Sequence, residues 1–200
     1  VVPKELTTKE QLLEVTIAAI DEKGEVGVRV DDVLKEVGVT PPTLYHHFGS
    51  REGLIVEAQA ERFSRVMRTE FAIFIKAVND SKNEKDLREA IKGAFAMRDE
   101  PKRFIVRFQR LNALGAAYAR PELAKRIVEI HDSFALQAAT ALKPFQDKGI
   151  LRQDVDLAMV VAWYNGAVIG KLLVEMAPSE LAISEWGKIM ADAVEHLLFG

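Results

Sequence analysis

Two hundred residues, 48% of them hydrophobic, suffice for one large or two small domains with a substantial core. The net charge of -3 is mild, and the lack of cysteine excludes a disulfide framework and any thiolate metal site. No N-terminal apolar segment resembles a signal peptide, so the expectation is a soluble, globular, cytoplasmic protein.

In chain order, Thr8 with Gln11 forms a capping-box pattern, followed by an apolar stripe of Leu12, Leu13, Thr16, Ile17 and Ile20 that stops at Gly24. A second helix is expected over 30–37, with Val33, Leu34 and Val37 inward and Asp31 and Asp32 in its positive first turn. Residues 37–54 read VGVTPPTLYHHFGSREGL. Gly38 suits a tight turn, Thr40 an N-cap, and Pro41 and Pro42 the first turn of a helix. Leu44 and Phe48, four apart, give this short helix one buried face and leave Thr43, Tyr45, His46 and His47 on the rest. Gly49 ends it, and Ser50 caps a long helix from Arg51 to about Val78, with Phe63, Met67, Phe71, Phe74 and Val78 on one face.

A short helix held across its predecessor by a glycine turn is the helix-turn-helix arrangement, whose second helix enters the DNA major groove. The run 38–51, with T-L-Y-H-H-F at 43–48, resembles the DNA-binding signature of the TetR family of bacterial transcriptional regulators. The resemblance is specific over roughly residues 8 to 58 and elsewhere extends only to a general plan of helices. It implies an all-α fold in two parts: a helix-turn-helix DNA-binding domain over 1–55 and a larger helical domain for ligand binding and dimerisation over 56–200. By position it makes Thr43 and His46 the base-edge readers. Tyr45, His47 and Arg51 become phosphate contacts, with Thr40 and Pro42 at the helix start. Arg29 stands where the family commonly has a capping threonine, and would hold a phosphate by charge. One property runs against this assignment: residues 1–52 carry six basic and ten acidic side chains, a net -4.

Beyond the long helix the polar run 79–84 marks a break. Leu87, Ala90, Ile91, Ala94 and Phe95 line one further helix, and Pro101 opens another carrying Phe104, Ile105, Phe108 and Leu111. Pro121 opens a long one that ends at Gly149, and two more are expected over 156–176 and 184–199. Residues 157–170 contain no charge but are too few to span a bilayer. A helix covered on most sides, partly by a second subunit, is the expectation. Gly166 and Gly170 allow a close approach there, and Trp186, Ile189, Ala193 and Leu197 add a second apolar face. A four-helix homodimer interface from these two helices is what the resemblance implies.

Two polar features stay open between alternatives. Arg103, Arg107 and Arg110 form either a solvated stripe or, with Phe104 and Phe108, a site for an anionic or amphipathic ligand. Asn165 either meets a ligand or bonds across the dimer seam. Adjacent His46 and His47 point about 100° apart, and His131 lacks the paired histidine of a helical zinc site, so neither predicts a metal. With no G-x-S-x-G, no cysteine nucleophile and no phosphate loop, the sequence offers no enzyme and no cofactor. The expected partners are a palindromic double-stranded operator, a second copy of the chain and a small molecule, with no membrane. A ligand-sensing repressor follows; the alternative is a helical ligand carrier or protein-interaction module with a vestigial DNA-binding part.

Overall fold

The computed structural model describes residues 6–99, 103–176 and 180–200, and within them every regular element is helical. The ten helices are α1 (Thr8–Lys23), α2 (Val30–Val37), α3 (Pro41–Phe48), α4 (Arg51–Asp80), α5 (Glu84–Asp99), α6 (Phe104–Ala117), α7 (Pro121–Asp147), α8 (Leu157–Gly170), α9 (Leu172–Glu175) and α10 (Glu180–Phe199). A short 3-10 turn, Glu25–Gly27, bridges α1 and α2.

Local chemistry sets most of these boundaries. The capping box at α1 is formed by Thr7 and Glu10, one residue earlier than the sequence pattern placed it. Glu10 satisfies both the Thr7 amide and its hydroxyl, whereas Gln11 bonds only through its own amide to the Thr7 carbonyl. Gly38 closes α2 in the left-handed conformation, at φ 76°, which costs a glycine nothing. Thr40 sits at the N-cap of α3 but caps nothing with its side chain: Pro42 removes one of the two amides it would serve, and the other, of Thr43, donates to the Thr40 carbonyl instead. Ser50 Oγ accepts a bond from the Gly53 amide at 3.0 Å and so starts α4.

Helix α4, 30 residues and about 45 Å long, runs through the whole molecule. Its first two turns supply Leu54, Ile55 and Ala58 to a cluster with Leu12, Ile17, Val33 and Leu44 from α1, α2 and α3. From Ala60 onward its apolar face turns to a second cluster, where Phe63, Met67 and Phe71 meet Ala113 of α6 and Leu123 and Ile127 of α7. A third cluster joins Val78, Leu87, Leu142, Val160, Val194 and Leu198 from α4, α5, α7, α8 and α10. The three clusters are strung along this one helix, which contributes side chains to each.

The C-terminal helices depart from the sequence reading in two places. The apolar stretch expected as one helix over 156–176 is interrupted after Gly170 and resumes as α9, and the last helix begins at Glu180 rather than 184. Leu157–Glu175 is long and apolar enough to cross a membrane by composition alone, with a mean hydropathy of 1.6. The break falls at Lys171, which is buried among its own helices, and α8 packs against α6, α7 and α10. Pro101 lies outside the described residues, as does the side chain of Phe95.

Candidate nucleic-acid interface

Helix α3 is anchored by one fully buried side chain, Leu44, while Thr40, Pro41, Pro42, Tyr45 and His46 are exposed. Tyr45 keeps 51% of its surface in solvent. Thr43 is half-buried and its amide donates to the Thr40 carbonyl at 3.0 Å. The His46 and His47 rings meet edge to face at 5.3 Å, and His47 leans in turn on Phe48 at 6.1 Å. The two histidines therefore differ in freedom: His46 is exposed, and His47 is half-buried against Phe48. Arg29 is exposed at the start of α2 and, as expected for a side chain without a short hydroxyl, makes no cap.

Arg51 has a structural task that the sequence did not announce. Its Nη2 donates to the carbonyls of Val28 at 3.1 Å and Glu25 at 3.4 Å, tying the start of α4 to the turn that precedes α2. Gly53 was also missed as a determinant. A Cβ there would lie 2.0 Å from the Phe48 carbonyl oxygen, so only glycine lets α4 leave α3 this closely. A glycine in the first turn of a helix, where nothing local calls for one, was the available signal.

The acidic balance of residues 1–52 is resolved by contacts from further along the chain. Asp21 receives Arg62 Nε at 3.0 Å, Glu14 receives Arg65 Nη1 at 3.0 Å, and Glu25 and Glu52 both pair with Arg120. Four of the ten acids are thereby matched by three arginines outside the segment. Burial lowers the Arg120 pKa, but the hydrogen bond to Glu52 and the charges of Glu25 and Glu52 more than offset it and hold the group above its ordinary value. From Gly38 through Ser50 there is no acidic residue at all. The outward surface of α3 is accordingly free of negative charge on its own helix.

The candidates in the larger part of the chain are placed differently from one another. Phe104 and Phe108 touch at 6.1 Å but are exposed on α6 with Ile105 and Leu111, and so do not line a cavity as the ligand-site alternative required. Arg107 and Arg110 are buried, not on a solvated stripe: Arg107 is 3% exposed and its Nε donates to Glu175 of α9 at 2.8 Å. Arg103 pairs with the buried Glu70 of α4. Asn165 is 1% exposed within the single chain, so it lies inside the protomer and not on an open seam. Gly166 and Ile189 are exposed, Ala193 and Leu197 half-buried. A Cβ on Gly170 would approach the Trp186 ring of the same chain to 3.3 Å, so that close approach is made within one protomer. Among the described residues no cluster of acidic and histidine side chains could hold a metal ion.

Residues 12–58 match the family model of bacterial regulatory proteins, tetR family. The fold is that of the TetR family. Over nearly its full length the chain superimposes on a protein from Mesorhizobium loti assigned to the TetR-family transcriptional regulators, with a TM-score of 0.71 at 15% identity, covering 96% of this chain and 97% of that one. A TetR-family regulator from Cytophaga hutchinsonii gives 0.70 at 17% identity, covering 98% and 100%. A regulator from Saccharomonospora viridis, solved with choline, gives 0.65 at 16% identity, covering 96% and 97%. At these identities the likeness is one of fold. No curated protein is significantly similar in sequence. In TetR-family terms, α2 and α3 are the helix-turn-helix and α4 is the helix that connects it to the larger helical body.

Proposed function

We propose that this protein is a cytoplasmic transcriptional repressor that binds a palindromic DNA operator as a homodimer and is controlled by a small molecule held in its larger helical part. The observation that carries the reading is α3 itself: a helix-turn-helix second helix, exposed, acid-free, and placed within the segment that matches the tetR family. Thr43 and His46 read base edges. Tyr45, His47, Arg29 and Arg51 engage phosphates, with Thr40 and Pro42 against the sugar-phosphate wall. We place the division between the DNA-binding part, 1–55, and the ligand-binding and dimerisation part, 56–200, inside α4, close to where its core contacts change between Ala58 and Ala60.

The dimer uses α8 and α10. Support comes from an apolar surface on these two helices that the single chain leaves open, with Met159, Trp163, Gly166 and Ile189 exposed beside Ala193 and Leu197. Trp186 and Gly170 lock α10 to α8 within each protomer and so shape that surface. Control passes along α4, whose first turns carry α3 and whose later turns line the larger body. A full switch requires a ligand that prefers one arrangement by about 5 kcal/mol. No catalytic role is assigned.

The test is selection of bound sequences from a random DNA pool, followed by affinity measurements at several salt concentrations. The proposal predicts an inverted repeat with half-sites one helical turn apart, about 34 to 36 Å, and an affinity that falls steeply with salt. Failure to enrich any sequence would move the ligand-carrier reading to first place.

A further inference from the structure

Apart from α4 itself, no helix of the larger body packs extensively on α1, α2 or α3 among the described residues. Beside that helix, polar bonds tie the two parts together. Arg62, one helical turn beyond Ala58 on α4, is only 8% exposed. Its guanidinium reaches both parts at once: Nε donates to Asp21 Oδ1 of α1 at 3.0 Å, and Nη1 donates to Asn112 Oδ1 of α6 at 3.3 Å. Nη1 also donates to Gln59 Oε1 at 2.6 Å, and Gln59, 1% exposed, extends the chain of bonds through Nε2 to Glu25 Oε2 at 3.0 Å. Glu25 lies in the turn that precedes α2 and pairs with Arg120, just before α7. The buried guanidinium therefore sits at the centre of a network that joins α1 and its following turn to α6 and to the start of α7.

A planar guanidinium presents its donors in fixed directions, so three partners bonded to one of them are held in a set arrangement. A buried charge also penalises any arrangement in which those partners have left it. Long helices curve, and the bonds at Arg62 resist such bending by fastening α1 to α6 alongside α4. We propose that Arg62 is a positioning residue for operator reading: by holding Asp21 and Asn112 together it fixes the angle of α2 and α3 on the larger body, and with it the half-site spacing that the dimer accepts. This rests on the regulator reading above and adds a spacing rule to it. One added base pair moves a half-site by about 3.4 Å along the duplex and turns it by about 35°. A stiff brace rejects that change and a loose one follows it.

The experiment measures the affinity of the full chain for its selected operator and for versions with one or two base pairs added or removed at the centre. The unaltered chain should prefer one spacing over its neighbours by about tenfold. Asn112→Ala cuts only the tie to α6, leaves Asp21 and Gln59 on Arg62, and alters an exposed side chain. It should reduce the spacing preference to about threefold while the thermal midpoint holds within about 2 °C. Asn112→Asp keeps the acceptor and should retain the preference; Arg62→Lys keeps the charge but loses the fork and should flatten it. An intact preference in Asn112→Ala, whatever its midpoint, makes the bond structural and overturns the proposal. A second readout needs no DNA. The sequence holds no cysteine, so Lys35→Cys on α2 and Lys85→Cys on α5, both exposed, take spin labels that report the distance between the two parts, with labelled chain diluted in unlabelled. The distance distribution should be narrow and should broaden with Asn112→Ala, and equal widths overturn the proposal. A chain that selects no DNA yet shows this broadening upholds the brace and removes only its use in operator reading.

Discussion

The two ends of the long helix are built by different rules. Around α3 the structure follows from neighbours in sequence: a left-handed Gly38, two prolines, a buried Leu44 and a capping Ser50, all within residues 38–50. Around α6 it follows from partners far away, with Arg107 bonded to a residue 68 positions on and Arg103 to one 33 positions back. The first end presents small polar side chains to solvent, whereas the second buries charge inside a helical body. The contrast accounts for their tolerance to change. A local turn fails when its own backbone is forced, and a buried ion pair fails when either half is left alone.

Arg107→Met should give the largest loss of stability in the second region, about 3 to 5 kcal/mol, because it strands the Glu175 carboxylate at 9% exposure. Adding Glu175→Leu should recover most of it. Denaturant midpoints of the single and double variants check this, and a double variant no better than the single one would blur the contrast. Gly53→Ala attacks the first region through its backbone. Its Cβ meets the Phe48 carbonyl, and about 2 kcal/mol of stability should go with the altered exit of α4 from α3, measured by thermal unfolding together with operator affinity.

Arg120→Ala probes the join between the regions. It frees Glu25 and Glu52 and should cost about 1 kcal/mol while weakening DNA binding by leaving two more carboxylates unmatched near the reading end. Unchanged affinity at low salt would count against the charge-matching account. Tyr45→Phe, the mildest change, should leave the melting temperature untouched and weaken all DNA sequences alike, as the loss of a phosphate contact does. A loss confined to some sequences would reassign Tyr45 to base reading.

How much was legible in the sequence divides along the same line. The all-helical fold, the bounds of α2 and α3, and the rod from Arg51 could be read directly, because caps, prolines and an apolar stripe act over one or two turns. Thr7 displaced Thr8 as the cap by one residue, within the reach of the same local chemistry. The burial of Arg107 and Arg110 could not be read, since an arginine three residues from another looks the same whether it faces water or a distant carboxylate. The outward placing of Phe104 and Phe108 was undecided for a similar reason: an apolar stripe specifies a face but not which neighbour, if any, covers it. Lys171 ended α8 early inside a stretch whose composition alone called for one helix.

The central claim is that the exposed face of α3 reads bases. It is tested most directly by measuring the affinity of the unaltered chain and of Thr43→Ala for the selected operator and for operators with each base pair replaced in turn. The account predicts that Thr43→Ala still binds the palindrome but loses its preference at one position in each half-site, by about 1 to 3 kcal/mol. Identical preferences at every position would place the reading surface elsewhere and contradict the account.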